Sequence, residues 1–486
     1  MNIIRVSRVK QLFGETVIYG VSSVLTRFIN LLLLPLYTNI LSPGEYGVLN
    51  ILSTTFSLLW LVSVLALDSA SFVFFHDFKE EDERKKVFSS WFWLQLVFGA
   101  VLFLIVFSLS NILSDLFFSS EKHGVEFRLI AFLLVLNILP NLVWNWLRVK
   151  RRVKTTAVFS VIQSVIIIGF NVWFILGLRM GIKGFFLAQI ISGVLMSVVA
   201  FVLLRESLSL QFFNKQLLKN MLIYSLPLVP TAVAAWGLNS SGGYFIQAQL
   251  GSVEVGLYQT GLTLSGILSF VTMSFTQAWG PFAMSIKDQK DSSAFFAKIF
   301  LIYISFIGVL AAGVLIFSSD ILAFVTSPDY AGADWVAGLL SFNALLIGLN
   351  YIASLGLNFS KDMRPFALAS IIGSLVNLGL FYFGASFFGK EGCAIASLIS
   401  NTGISFFIFR AAQIRYPIPF NFLKGILLFS ICFFGAIFIK ILNTNIPYNS
   451  LLVRVLGFTV VISILFLLNK REFFVVLKKI KISKSN

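Results

Sequence analysis

Arg27 carries the most chemical consequence of any residue in this sequence. It sits near the middle of a long apolar run whose second half reads RFINLLLLPLY. An arginine at the centre of a membrane helix costs at least about 2.5–3.5 kcal/mol on insertion scales, so it is kept for a reason. Ser23 and Asn30 fall at helical spacing on the same face. One reading is a fixed positive charge in a wet cavity, where a guanidinium suits a phosphate or another anion. The other is half of a buried ion pair, with Asp68 near the end of the next apolar run as its partner. The two are compatible.

Three stripes of amides repeat the theme. Asn137, Asn141, Asn145 and Arg148 lie at spacings that share one helix face, as do Asn343, Asn350, Ser354 and Asn358. Gln259, Thr263 and Gln277 form a third stripe. Taken singly, such amides commonly bond between helices as glue; taken together, they fit a polar cavity lined by several helices. The candidate substrate-binding set is therefore Arg27, Asn30, Asp68, Asn141, Asn145, Gln259, Gln277, Asn343 and Asn350. Pro35, Pro140, Pro227 and Pro230 fall within or at the ends of the runs and mark expected bends.

The elements that must position these groups are set by composition. Hydrophobic residues fill 58% of the 486 positions and charged residues only 12%, with a mean hydropathy of +0.91. So little polar cover excludes a water-soluble domain, and the solvent has to be lipid. About 14 continuous runs have the ~20-residue length that spans a bilayer as helix. A transmembrane barrel would instead show short alternating segments. The expected fold is an all-α integral membrane protein.

The net charge of +16 has an explanation other than nucleic acid. With an even number of spans and a cytoplasmic N-terminus, most Lys and Arg fall on one side. These include Arg5/Arg8/Lys10, Arg84/Lys85/Lys86, the stretch from Arg148 to Lys154, and the tail from Lys470 to Lys484. That is the positive-inside bias, and it places both termini in the cytoplasm. The basic N-terminus leads into a full-length span and reads as an uncleaved start-transfer helix. Cys393 and Cys432 lie inside spans, and His76 and His123 are the only histidines, so neither a disulfide framework nor a metal site is expected.

The chain also repeats itself. LSPGEYGVL (41–49) matches LGSVEVGLY (250–258) at an offset of 209 residues, pairing Glu45 with Glu254 and Gly47 with Gly256. GIKGFFLAQIIS (181–192) matches GKEGCAIASLIS (389–400) at an offset of 208, pairing Gly181, Gly184, Ala188 and Ser192 with Gly389, Gly392, Ala396 and Ser400. An interval of six spans keeps the copies in one orientation, related by an axis along the membrane normal. The expected organisation is an N-terminal lobe over 1–205, a C-terminal lobe over 206–412 about a central cavity, and two further helices with a basic tail over 413–486.

No phosphate loop, zinc-peptidase helix or nucleophile elbow is present, and no large loop exists to carry catalytic groups. An enzyme is not expected. In ordered succession, RFINLLLLPLYTNILSPGEYGVLNI (27–51), LKNMLIYSLPLVP (218–230), LGSVEVGLYQTGLTL (250–264), FTQAWGPF (275–282), SPDYAGADWVAGLL (327–340) and GKEGCAIASLIS (389–400) resemble the polysaccharide-biosynthesis (O-unit) flippases. These belong to the multidrug/oligosaccharidyl-lipid/polysaccharide (MOP, MATE-like) exporter superfamily. Where many members carry an Asp-Arg pair, this chain reads NSSGGYFIQAQ (239–249), so no second cationic contact is carried over from the C-terminal half. Arg27 matches the arginine often found in the family's first helix.

The resemblance implies a bacterial inner-membrane transporter. It would move an undecaprenyl-diphosphate-linked oligosaccharide from the cytoplasmic to the outer leaflet for O-antigen, capsule or exopolysaccharide assembly. Its partners would be membrane lipid, the lipid-linked glycan and other polysaccharide-assembly membrane proteins. It implies no cofactor, with an H+ or Na+ gradient or the membrane potential as energy source. A cation-coupled multidrug antiporter of the same superfamily is the alternative, with Asp68 its candidate carboxylate; a membrane glycosyltransferase or polymerase would need clustered acids or histidines.

Overall fold

The computed structural model describes residues 33–289, 291–445 and 450–484, which form helices and turns with no strand among the described residues. Arg27 and Asn30 lie outside them. The chain divides into two compact units, Met1–Gly256 and Leu257–Asn486.

The first unit holds α1 (residues 33–40), α2 (Pro43–Val64), α3 (Leu67–Asp77), α4 (Glu81–Ser108), α5 (Ser110–Phe118) and α6 (Gly124–Leu136). It continues with α7 (Ile138–Val149), α8 (Val153–Asn171), α9 (Gly181–Leu204), α10 (Lys215–Ser225), α11 (Val229–Ser240) and α12 (Gly242–Leu250), and takes in the first turn of α13 (Ser252–Ile286). The second unit holds the rest of α13, then α14 (Ser292–Val325), α15 (Asp334–Ala353), α16 (Leu355–Phe359), α17 (Arg364–Arg415), α18 (Phe422–Asn445) and α19 (Ser450–Lys484). Eleven helical stretches among the described residues are long and apolar enough to cross a membrane. The 52-residue α17 breaks at Gly389, whose φ is 63°, leaving two limbs that each exceed the ~20 residues a span requires. The protein is a multi-pass, all-helical membrane protein.

Local sequence explains where helices begin and stop. The Ser42 side chain accepts from the Glu45 amide while the Glu45 carboxylate accepts from the Ser42 amide, closing a capping box ahead of Pro43. Such caps are worth about 1 kcal/mol. α2 ends where Leu65 and Ala66 both adopt left-handed backbone, at φ 52° and 53°. For residues with a Cβ this costs roughly 1–2 kcal/mol each.

Repeat-related residues share local geometry. Gly181 and Gly389 both have positive φ, at 58° and 63°, and each ends a tight reversal between two helical limbs. A Cβ on Gly184 would touch the Met180 Cβ, and one on Gly392 the Phe388 Cβ; Met180 and Phe388 are themselves one repeat apart. Ala188 and Ser192 are buried, as are Ala396 and Ser400. At the other match, α11 and α12 together run antiparallel to α2. Trp236 Nε1 donates to Ser57 Oγ at 2.9 Å, and Tyr244 OH meets Thr55 Oγ1 at 2.9 Å. The chain reverses at Gly251 (φ 86°), so the first turn of α13 runs in the sense of α2, as a parallel repeat requires.

Lipid supplies no hydrophobic drive between helices, so packing rests on close approach. The first unit has a core of Leu67, Phe88, Trp91, Ile138 and Leu142 where α3, α4 and α7 meet. In the second, α15 is almost wholly enclosed and packs against α14 and α17, while α14 also packs against α18 and α19.

Candidate functional site

The described candidates fall into two groups. Asp68, Asn141 and Asn145 belong to the first unit. Gln259, Gln277, Asn343 and Asn350 belong to the second.

In the first unit the polar groups collect where helices break. The ladder of α2 closes with Leu65 N–H on the Val62 carbonyl, and that of α3 opens with Ser69 and Ala70 N–H on Ala66. Asp68 stands in the first turn of α3, exposed, where the helix dipole favours a carboxylate. A second interruption, at Asn137, separates α6 from α7. Two turns on, Asn145 Nδ2 donates to the Asn141 carbonyl at 2.9 Å and to its Oδ1 at 3.3 Å. Asn145 is buried, and Asn141 Nδ2 is buried without a partner. This stripe thus bonds along its own helix instead of bridging to another.

In the second unit Asn350 acts as glue: its Oδ1 accepts from Ser405 Oγ at 2.6 Å, joining α15 to the second limb of α17. Asn377 and Ser400 bond likewise at 2.9 Å between the two limbs. Asn343 Oδ1 is buried without a partner. Gln259 is half-buried and Gln277 exposed. They share a face of α13, but their 18-residue separation is about 27 Å of helix, so they cannot meet one small group together.

Sequence reasoning missed a buried ion network in the second unit. Lys440 Nζ on α18 lies 3.0 Å from Asp334 Oδ2 and donates to Ser318 Oγ at 2.7 Å. It also stands 4.6 Å from the centre of the Trp335 ring. Beside it, Arg454 on α19 pairs with Asp320. Lys440 and Arg454 are only 4% and 7% exposed, whereas Asp320 is half-exposed, so buried cations on the last two helices tie them to carboxylates on α14 and α15. A cation inside the apolar run FFGAIFIKIL was the available signal. Also missed were Ser63, Trp91 and Gln95, which are uncharged and were hidden among apolar neighbours.

Comparison with known proteins gives the family. The profile of the polysaccharide biosynthesis protein family matches residues 37–294, more than half of the chain. The chain belongs to the polysaccharide biosynthesis protein family. A search of curated protein sequences finds no match. Among solved structures, this family member resembles the lipid II flippase MurJ in an inward closed conformation. That match has a TM-score of 0.74 at 15% identity and covers 94% of this chain and 100% of that one. It also resembles an inward-facing multidrug resistance MATE family transporter of the MOP superfamily (TM-score 0.63, 16% identity, 80% of this chain and 94% of that one). A MOP superfamily transporter from Pyrococcus furiosus matches at a TM-score of 0.52 and 16% identity, over 82% of this chain and 94% of that one. At these identities the likeness establishes the fold, which is that of the MOP superfamily transporters.

Proposed function

We propose that the protein is a flippase that carries an undecaprenyl-diphosphate-linked oligosaccharide from the cytoplasmic to the outer leaflet of a bacterial inner membrane. The observation that carries this reading is the family match over residues 37–294 on a fold shared with a lipid II flippase. The chemistry agrees. The interior of each unit offers amides and hydroxyls, which suit a glycan, and Arg27, set in an apolar run of the sequence, suits a diphosphate. The lipid tail needs no polar site and stays in hydrocarbon. Two repeat lobes, 1–205 and 206–412, rock about the cargo in alternating access. Both termini lie in the cytoplasm, and the role is transport, not bond chemistry.

The test is genetic and chemical. Deleting the gene in its native strain should abolish surface glycan and leave the lipid-linked oligosaccharide inaccessible to a periplasmic ligase or an externally added lectin. Surface glycan at wild-type level in the deletion strain, with loss of drug resistance instead, would establish the antiporter reading.

A further inference from the structure

The turn between α7 and α8 gathers more positive charge than its fold requires. Arg148, Lys150, Arg151, Arg152 and Lys154 lie within seven residues, with no acid among them. Lys150 is paired, with its Nζ 2.6 Å from Glu81 Oε1. The other four are exposed, and among the described residues no carboxylate pairs with any of them.

The repeat shows what the turn itself needs. Arg151 N–H donates to the Arg148 carbonyl at 3.0 Å, and Arg152 N–H to that of Leu147 at 2.9 Å. In the second unit, Lys361 N–H donates to the Asn358 carbonyl at 3.2 Å, and Asp362 N–H to that of Leu357 at 3.1 Å. Arg151 and Lys361 are both left-handed, with φ 52° and 56°. The two reversals therefore correspond residue for residue, and Arg152 stands where the second unit has Asp362. The Asp362 carboxylate accepts from the Arg364 amide at the start of α17 at 3.1 Å and pairs with Arg415 at 2.8 Å. An anion thus occupies that place in the second unit. In the first unit α8 starts with no side-chain cap and no acid in its first turn. Arg152 and Lys154 there add positive charge to the positive end of the helix dipole, which is unfavourable without an anion. The local chain supplies none, so a ligand fits the place.

The surroundings select a lipid phosphate. The Arg148 guanidinium lies 4.3 Å from the centre of the Trp144 ring, and that of Arg152 lies 5.5 Å from the Trp146 ring. Stacking takes up the guanidinium faces and leaves the in-plane N–H donors free for phosphate oxygens. Tryptophan near the end of a span marks the headgroup level. Below Lys154, the side chains of Val158, Ile162 and Val165 are exposed, and their spacing puts all four residues on one face of α8. A cation heading an exposed apolar stripe matches a phospholipid, with its phosphodiester at the turn and an acyl chain along the helix. Basic clusters at the end of a span are the usual recognition element for anionic headgroups.

We infer that the α7–α8 turn binds an anionic phospholipid, its phosphodiester held by Arg148, Arg151, Arg152 and Lys154 where the second unit places the Asp362 carboxylate. This site does not rest on the flippase reading.

The experiment is native mass spectrometry of the purified full-length protein in detergent, titrated with dioleoylphosphatidylglycerol or with zwitterionic dioleoylphosphatidylcholine. The expected result is saturable binding of the phosphatidylglycerol, with the phosphatidylcholine at least about tenfold weaker. Arg148→Gln with Arg152→Gln should weaken phosphatidylglycerol binding about tenfold or more, as loss of charge-assisted contacts requires. Arg152→Asp, which gives the first turn the carboxylate of the second, should abolish the preference between the two lipids. Lys361→Gln with Arg364→Gln, in the second unit's turn, should leave it unchanged. Helix content and melting temperature establish the fold of each variant, and all the substituted side chains on α7 and α8 are exposed. Equal binding of the two lipids by the wild type, or a preference that survives in both first-turn variants, overturns the inference. So does displacement of the lipid by inorganic phosphate, which would make this a site for soluble anions. Displacement by undecaprenyl diphosphate at lower concentration, with the same arginine dependence, would make it a cargo site and likewise overturn the phospholipid assignment. Glycan export, measured in cells, decides the flippase reading separately.

Discussion

Gly47 and Gly256 approach backbone to backbone in a self-complementary contact. A Cβ on Gly47 would lie 1.8 Å from the Ser252 carbonyl oxygen, and one on Gly256 would lie 1.9 Å from the Pro43 carbonyl oxygen. Ser252 stands to Gly256 as Pro43 stands to Gly47, and the two pairs are one repeat apart in the sequence. A contact in which each residue meets the counterpart of its own neighbour is the signature of a two-fold relation. Here it joins the first turns of α2 and α13.

Substitution at either glycine should therefore cost about the same. Gly47→Ala and Gly256→Ala each place a methyl against a backbone carbonyl, which cannot rotate away as a side chain can. A loss of roughly 1–3 kcal/mol is expected for such overpacking, read as a lowered melting temperature in detergent. Gly44 is the control: a Cβ there would meet Val253 Cγ2 at 3.5 Å, an ordinary contact, so Gly44→Ala should be close to neutral. Equal tolerance of Ala at Gly47 and Gly44 would contradict the close approach.

The helical architecture and the repeat were legible because each leaves a mark on single residues. Apolar runs report spans directly. Gly181 and Gly389 report a reversal that other residues resist, and Gly47 and Gly256 a crossing that any Cβ obstructs. The polar interior was less legible. The spacing of Asn137, Asn141 and Asn145 correctly puts them on one face, but it cannot say whether that face bonds along the helix, as Asn145 does with Asn141. Asn350 shows the same limit, since its partner Ser405 lies 55 residues away. Gln95 carried no mark at all: one amide among apolar neighbours becomes informative only once both its polar atoms are found buried without partners.

The ion network around Lys440 should behave as a coupled unit. Removing the ammonium in Lys440→Met leaves the partly buried Asp334 carboxylate with only the Ser319 hydroxyl and the Trp335 amide as donors, with an expected loss of roughly 1–3 kcal/mol. Replacing both partners, as Lys440→Met with Asp334→Asn, should recover most of it, because no unpaired charge then remains. Thermal melts of the two single variants and the double variant measure the coupling directly. Additive losses would show that the two charges do not interact.

Topology is open to chemical labelling. Cys393 and Cys432 are buried, so the native thiols give little background to a membrane-impermeant maleimide. In sealed cells, a cysteine at Ser120, in the turn between α5 and α6, should be labelled from outside. One at Arg151, in the basic turn between α7 and α8, should react only after lysis. Both expectations follow from the distribution of Lys and Arg. Labelling of position 151 in intact cells would reverse the assigned orientation.

Arg27 separates the binding role from the structural one. If its guanidinium holds the cargo's diphosphate, Arg27→Ala should lower glycan export by about tenfold or more, the loss of one charge-assisted contact, while protein abundance stays level. Arg27→Lys should recover only part, because an ammonium keeps the charge and loses the planar bidentate fork. If Arg27 serves instead to neutralise Asp68, the signature differs. Arg27→Ala should then lower abundance, and Arg27→Ala with Asp68→Asn should restore it by removing the stranded charge. Asp68 is exposed in the first turn of α3 and tolerates its own charge there through the helix dipole, which weighs towards a small structural penalty. The deciding quantity is surface glycan per unit of folded protein across the wild type and these three variants. A stable Arg27→Ala protein that exports at the wild-type rate removes Arg27 from the binding machinery.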